Sequence, residues 1–239
     1  MKLAILSDLH AVADTTERAL QAARAEGFDR LIILGDILTY GVEPKRTLDL
    51  VTDAIDRDDA ILILGNHDQL YLDLDNGESG YYDRLNDWIR ESVDWTRAQL
   101  PERCMEDLPW RESWSSGPFF TAHANPYDYG DWTYLRTDQE LRWACRILAK
   151  RDFRWGVFGH THRCARQDKG NETAATVGSL GQPRDRKDRR PQWAAVEFDD
   201  DKFQVEARPV DFDVKHHLAA IEATSMGART KERLAMFFQ

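Results

Sequence analysis

Lys2-Leu3-Ala4-Ile5-Leu6-Ser7-Asp8-Leu9-His10 begins the chain as a short apolar run that ends on a carboxylate and an imidazole two residues apart. Lys2–Ser7 reads as a buried strand. In an extended segment residues i and i+2 project to one face, so Asp8 and His10 can converge on one centre. The arrangement recurs: Leu31–Leu34 is followed by Gly35-Asp36, and Ile61–Leu64 by Gly65-Asn66-His67-Asp68. Between these runs lie two segments of helical composition, Thr15–Glu26 with Asp14 placed to cap it and Glu43–Arg57 with Pro44 in its first turn. Strand, helix, strand, helix, strand at this spacing predicts an α/β fold built on parallel βαβ units.

Further along, the pattern changes and then returns. Residues from about 69 to 117 read as a helical, aromatic-rich insertion without strand runs, and six of the eight tryptophans lie between Trp88 and Trp143. Tyr81, Tyr82, Leu85, Trp88 and Trp95 recur at helical spacing and are expected to form core between inserted helices; the sharper alternative is a cap over a ligand. Pro118–His123 and Arg154–Phe158 are predicted strands flanking a helix at about 136–150. Thr173–Val177 is a further strand. Gln192–Phe198 and Phe203–Pro209 form a predicted hairpin turning at Asp199–Lys202. The tail, about 213–239, is expected to be helical and broken at Gly227, with His216 and His217 on its surface. Nothing resembles a linker, so residues 1–239 are read as one domain.

Composition bounds the function. A chain of 239 residues with 42% hydrophobic and 31% charged residues is that of a globular protein large enough for its own core. No apolar run approaches the roughly 18 residues of a membrane span, and the N-terminal run is too short for a signal peptide, so the expected location is cytoplasmic. Cys104, Cys145 and Cys164 are odd in number and widely spaced, as expected of reduced thiols with packing roles. A net charge of −10 argues against a broad nucleic-acid surface or an anionic-membrane surface. Oligomeric state has no signature here.

Five of the seven histidines fall in five short segments: Asp8-Leu9-His10, Gly35-Asp36, Gly65-Asn66-His67-Asp68, His123 within Thr-Ala-His-Ala-Asn-Pro, and Gly159-His160-Thr161-His162. All five follow predicted buried strands, and ligands gather at the carboxyl ends of strands in α/β sheets. Carboxylate, imidazole and amide oxygen together suit Mn²⁺, Fe or Zn²⁺. Asp36, alone after its strand and carrying two oxygens, is the natural bridge between two ions.

This order of motifs, spanning residues 8 to 162, resembles the calcineurin-like metallophosphoesterase superfamily. Gly35-Asp36-Ile37-Leu38-Thr39-Tyr40-Gly41 and residues 178–185 resemble segments of its small bacterial members. The resemblance implies a four-layer αββα sandwich with two mixed β-sheets. It also implies two divalent transition-metal ions, Mn²⁺ first, with Fe, Zn²⁺ or Ni²⁺ as other choices. One ion would be held by Asp8, His10, Asp36 and His162, the other by Asp36, Asn66, His123 and His160. A metal-bridging hydroxide would attack phosphorus, while His67 protonates the leaving oxygen or stabilises charge there.

The protein phosphatases of this superfamily carry Gly-Asp-x-x-Asp-Arg-Gly. Here Thr39 stands in place of the second aspartate and Tyr40 in place of the arginine. A tyrosine hydroxyl does not replace a bidentate guanidinium. Asp68 is therefore expected to orient His67, and Arg184 with Gln182 to supply the missing phosphate grip. Arg184 otherwise simply opens the solvated run 184–190. Asn125 and Tyr127 follow His123 closely enough to face a substrate. The expected function is hydrolysis of small phosphoesters or nucleotides, as a phosphodiesterase or nucleotide pyrophosphatase. The alternatives are a serine/threonine-type protein phosphatase, a non-catalytic scaffold of the same fold, and a nuclease, which the acidic balance disfavours.

Overall fold

β1 (Lys2–Leu6), β2 (Arg30–Ile33) and β3 (Ile61–Ile63) run parallel, with Ala4 opposite Leu31 and Ile32 opposite Ile61. Helices α1 (Ala13–Glu26) and α2 (Pro44–Asp58) connect them. The structure is a computed structural model that describes residues 1–185 and 188–239. Arg186 and Lys187, part of the expected solvated run, lie outside the described residues.

After β3 come α3 (Asn66–Asp75), a short 3₁₀ turn and α4 (Asp87–Ala98), then β4 (Trp110–Arg111), β5 (Ser113–Ser116) and β6 (Phe119–Ala122). Helix α5 (Asp138–Lys150) leads to β7 (Trp155–Phe158), β8 (Ala165–Lys169) and β9 (Glu172–Thr176). The hairpin of β10 (Gln192–Phe198) and β11 (Phe203–Pro209) precedes α6 (Val214–Glu222) and α7 (Ala228–Ala235). Two mixed sheets result, with strand orders β11-β10-β1-β2-β3-β4 and β5-β6-β7-β9-β8.

Side-chain alternation along the strands builds the layers. Leu3, Ile5, Ile32, Leu34 and Ile63 pack with Phe119, Trp155, Val157 and Val177 between the sheets. Their neighbours Ala4, Leu6, Leu31, Ile33 and Leu62 pack instead with Leu20 and Ala23 of α1 and Val51 and Ala54 of α2. On the far side Phe120, Phe158 and Ala174 pack with Leu141, Ala144 and Leu148 of α5. The order is helix, sheet, sheet, helix, as expected. The central strands are buried on both faces, so they read as continuous apolar runs rather than alternating ones.

Several expectations need correction. Asp14 does not cap α1: the cap position is Val12, and Asp14 lies in the first turn, where a negative charge favours the helix dipole. The stretch from about 69 to 117 is not free of strands, because β4 and β5 lie within it. Both are short and polar, so they leave no apolar run to find. Strand β8 was not foreseen for a related reason: Ala-Arg-Gln-Asp-Lys is a charged edge strand, a composition that discourages further pairing. His217 is buried at 5% exposure, with Phe212 and Phe238 around its ring, while His216 is exposed. Among the described residues, no helix is long and apolar enough to cross a membrane.

Candidate metal centre

Three of the five strand ends, those of β1, β2 and β7, deliver their polar groups through a sharply turned backbone. Asp8, His10, Asp36, His160 and His162 all have positive φ, between 45° and 62°. Such geometry costs a non-glycine residue of order 1–3 kcal/mol, and it persists only where the surroundings enforce it. Here the loops are laced together: Asp8 N–H donates to Gly35 O (3.1 Å) and His10 N–H to Asp36 O (2.9 Å). Gly65 is required by close approach, since a Cβ there would collide with the Asp36 carboxylate.

The side chains meet in two groups that share one residue. Ligand atoms of Asp8, His10, Asp36 and His162 lie within 4.8 Å of one another, as do those of Asp36, His123 and His160. Asp36 Oδ2 is 3.9 Å from His10 Nε2 and 3.5 Å from His123 Nε2. His162 Nε2 is 3.3 Å from His10 Nε2 and 3.1 Å from Asp8 Oδ1. His123 Nε2 lies 3.1 Å from Asn66 Oδ1 and 3.3 Å from His160 Nδ1. All seven residues are buried.

Backbone carbonyls fix how the rings present themselves. His10 Nδ1 donates to Leu38 O (3.0 Å), His123 Nδ1 to Leu34 O (2.5 Å), His162 Nδ1 to Gln182 O (2.8 Å) and His160 Nε2 to Trp132 O (3.0 Å). With one ring nitrogen occupied as donor, the other is aimed inward and in the neutral ring is a lone pair, the tautomer a metal needs. His10 and His162 thus set lone pairs against each other at 3.3 Å, and Asp8 Oδ1 is buried with no hydrogen-bond partner. A divalent cation resolves both features, so the residues fit the metals that the sequence implies.

Charge follows the same logic. Burial disfavours the Asp36 carboxylate, yet His123 and His67 beside it outweigh burial and hold it well below the usual range. His123 is pushed up to about 9, with Asp36 and Asp8 overcoming its burial. Burial pushes His160 down to about 3 and His67 to about 4. His67 is therefore neutral near pH 7 and offers an N–H rather than a charge.

The residues around His67 depart from expectation. Asp68 does not orient it. The Asp68 carboxylate accepts from the backbone N–H groups of Gly65 (2.9 Å), Asp36 (2.7 Å) and Ile37 (2.9 Å), tying two strand ends together. Burial, with Asp36 adding to it, pushes Asp68 up to about 7. His67 Nε2 instead lies 3.2 Å from the Tyr40 hydroxyl, and His67 Nδ1 has no partner. Tyr40 is buried against Trp88 and addresses His67. Asn125 is turned inward too: its amide donates to Asp131 O and Thr133 O and accepts from Tyr127 N–H, so it shapes a loop.

Arg184 and Gln182 do lie at the centre. Gln182 supplies the carbonyl that holds His162, and its buried Nε2 has no partner. Arg184 bonds Gln182 Oε1, and after burial its positive charge is the next influence pushing His162 down.

Two tyrosines at the centre carried no signal of that role. Tyr81, expected as core, accepts from Asn66 Nδ2 at 2.9 Å and so turns Asn66 Oδ1 toward His123. Tyr134 stacks on His160 at 3.9 Å, with the Arg136 guanidinium 3.6 Å from its ring centre. Both sit in irregular segments where periodicity says nothing.

Residues 1–201 match the calcineurin-like phosphoesterase superfamily domain. The chain belongs to that superfamily and is a metal-dependent phosphoesterase. An uncharacterized protein of Methanocaldococcus jannaschii is 24% identical over 97% of this chain and 96% of its own length. A metallophosphoesterase from Sphaerobacter thermophilus superposes with a TM-score of 0.75 at 24% identity, covering 99% of this chain and all of that one. A hypothetical protein from Pyrococcus horikoshii gives a TM-score of 0.80 at 18% identity, over 98% and 97% of the two chains. At these identities the two solved structures support the fold.

Proposed function

We propose that this protein hydrolyses small phosphoesters, as a phosphodiesterase or nucleotide pyrophosphatase, with a dinuclear metal centre. The observation that carries the reading is the position of Asp36 Oδ2, within 4 Å of the inward nitrogens of both His10 and His123. Asp8, His10, Asp36 and His162 would hold one divalent ion, and Asp36, Asn66, His123 and His160 the other. When bound, the pair supplies Lewis acidity toward a phosphoryl oxygen and toward water.

The chain's own residues do the rest. Backbone carbonyls hold four imidazole rings in place without reorganisation. Asp68 locks the Gly35-Asp36 and Gly65-Asn66 turns against each other. His67, neutral and buried, donates an N–H toward the oxygen that gains charge, and Tyr40 fixes its ring. With Tyr40 facing His67, no guanidinium stands at the position that grips phosphate in the protein phosphatases. That favours compact esters over phosphoproteins.

The test is metal analysis followed by a substrate panel with Mn²⁺, comprising an aryl phosphomonoester, an aryl diester, dinucleoside polyphosphates, cyclic nucleotides and a phosphopeptide. Two metals per chain and turnover of a diester or nucleotide are expected. Preference for the phosphopeptide overturns the reading. Absence of both metal and turnover makes the chain a scaffold.

A further inference from the structure

We propose that a cavity beside the metal centre, bounded by Arg163, Arg184, Arg189, Met236 and Phe237, is a subsite for the second phosphate and the base of a nucleoside polyphosphate. The proposal rests on the phosphohydrolase reading and gives it a substrate class.

Position comes first. The cavity encloses about 290 Å³. Its wall begins one residue beyond His162, with Arg163, and the Arg184 N–H donates to His162 O at 3.1 Å. The Arg184 guanidinium bonds the side chain of Gln182, whose backbone carbonyl holds the His162 ring, so this cavity-lining side chain is tied to the metal centre. A substrate whose reacting phosphate lies at the metals would meet Arg184 with the next group along.

Charge comes second. Three guanidinium groups and one carboxylate, that of Asp185, line the cavity in a chain whose net charge is −10. Among the described residues Arg163 Nε donates to Arg184 O and Arg184 to Gln182 Oε1, both neutral oxygens, while Arg189 bonds Gln239 O. Arg184 Nε is buried and has no partner. Guanidinium groups in this state suit phosphate oxygens, which accept two N–H bonds at once.

The third feature is an apolar wall. The C-terminal 3₁₀ turn brings Phe237 to 5.6 Å from the Arg184 guanidinium and leaves Met236 52% exposed. Cationic groups beside an aromatic face suit a base attached to phosphate, because the ring stacks while the phosphate pairs. Neither an inorganic anion nor an aliphatic ester uses both.

The experiment compares the Mn²⁺-loaded protein with Arg163→Ala, an exposed position, and Phe237→Leu. Calorimetry measures the affinity of α,β-methylene-ADP, and steady-state assays give the ratio of kcat/KM for ADP to that for bis(p-nitrophenyl) phosphate. Each substitution is expected to weaken the analogue roughly tenfold, as loss of one charge-assisted bond or one stack does, and to lower the ratio similarly. Affinity unchanged within about twofold, or a parallel fall on both substrates, overturns the subsite. If the unsubstituted protein turns over neither substrate, the hydrolase reading fails, while the affinity measurement still decides the subsite.

Discussion

The Tyr40 hydroxyl lies 3.2 Å from His67 Nε2, where a phosphatase of this superfamily would carry an arginine directed at phosphate. Tyr40 is buried, with positive φ, and its backbone N–H is held by Ser92 Oγ at 2.9 Å. This residue fixes a ring whose other nitrogen is unpartnered. Tyr40→Phe removes one buried hydrogen bond of about 1–1.5 kcal/mol and leaves the packing against Trp88. The expected result is a fall in kcat of about tenfold with metal content unchanged. Loss of metal in that variant would show that Tyr40 acts on the centre rather than on His67.

Asp36 and His67 separate metal binding from turnover. Asp36→Asn keeps the shape but removes the one charge shared by both groups, so metal content should fall from the proposed two ions per chain to below one. His67 is not among the grouped ligand atoms. His67→Ala should keep both ions and lower kcat by about 10²–10⁴. Elemental analysis beside the assay reads both, and a His67→Ala protein with near-normal turnover removes the role assigned to His67.

Asp68 is a structural tie, and its loss should register as stability. Three backbone N–H groups point at its carboxylate. In Asp68→Asn the amide nitrogen cannot accept, so at least one buried donor is stranded at about 1–3 kcal/mol. For a chain of this size that lowers Tm by roughly 3–10 °C. An unchanged melting temperature with a selective loss of turnover would return Asp68 to the role of orienting His67.

That reversal for Asp68 marks where the sequence stops being informative. The strands β1, β2, β3 and β7 and their polar ends were legible because a strand buried on both faces leaves an apolar run, and a turn at its end admits few residue types. Asp68 was also visible, but its partners were not. A carboxylate next to His67 in sequence lies in the first turn of α3, where neighbouring side chains diverge around the helix axis. Tyr81 and Tyr134 were hidden for the opposite reason, since aromatics in irregular segments resemble core until the chain is folded. β8 was hidden because an exposed edge is polar by necessity.

His217 gives a test of pH dependence at a histidine outside the clustered ligand residues. Its ring is enclosed by Phe212 and Phe238, its Nε2 has no partner, and burial, aided by His216, pushes it down to about 4 despite the opposing charge of Asp14. In the unfolded chain it titrates near 6.5. Between those values the unfolded state binds more protons, so stability is full above pH 6.5 and is lost as pH falls toward 4. The gap corresponds to roughly 3 kcal/mol as an upper figure. His217→Phe keeps the aromatic packing and removes the proton, so it should flatten this part of the stability curve. Urea unfolding at pH 7.5 and pH 5 compares the two proteins. The unsubstituted chain should lose about 1–2 kcal/mol more than the variant on acidification. Equal losses would mean that protonation of His217 is not what weakens the fold in acid.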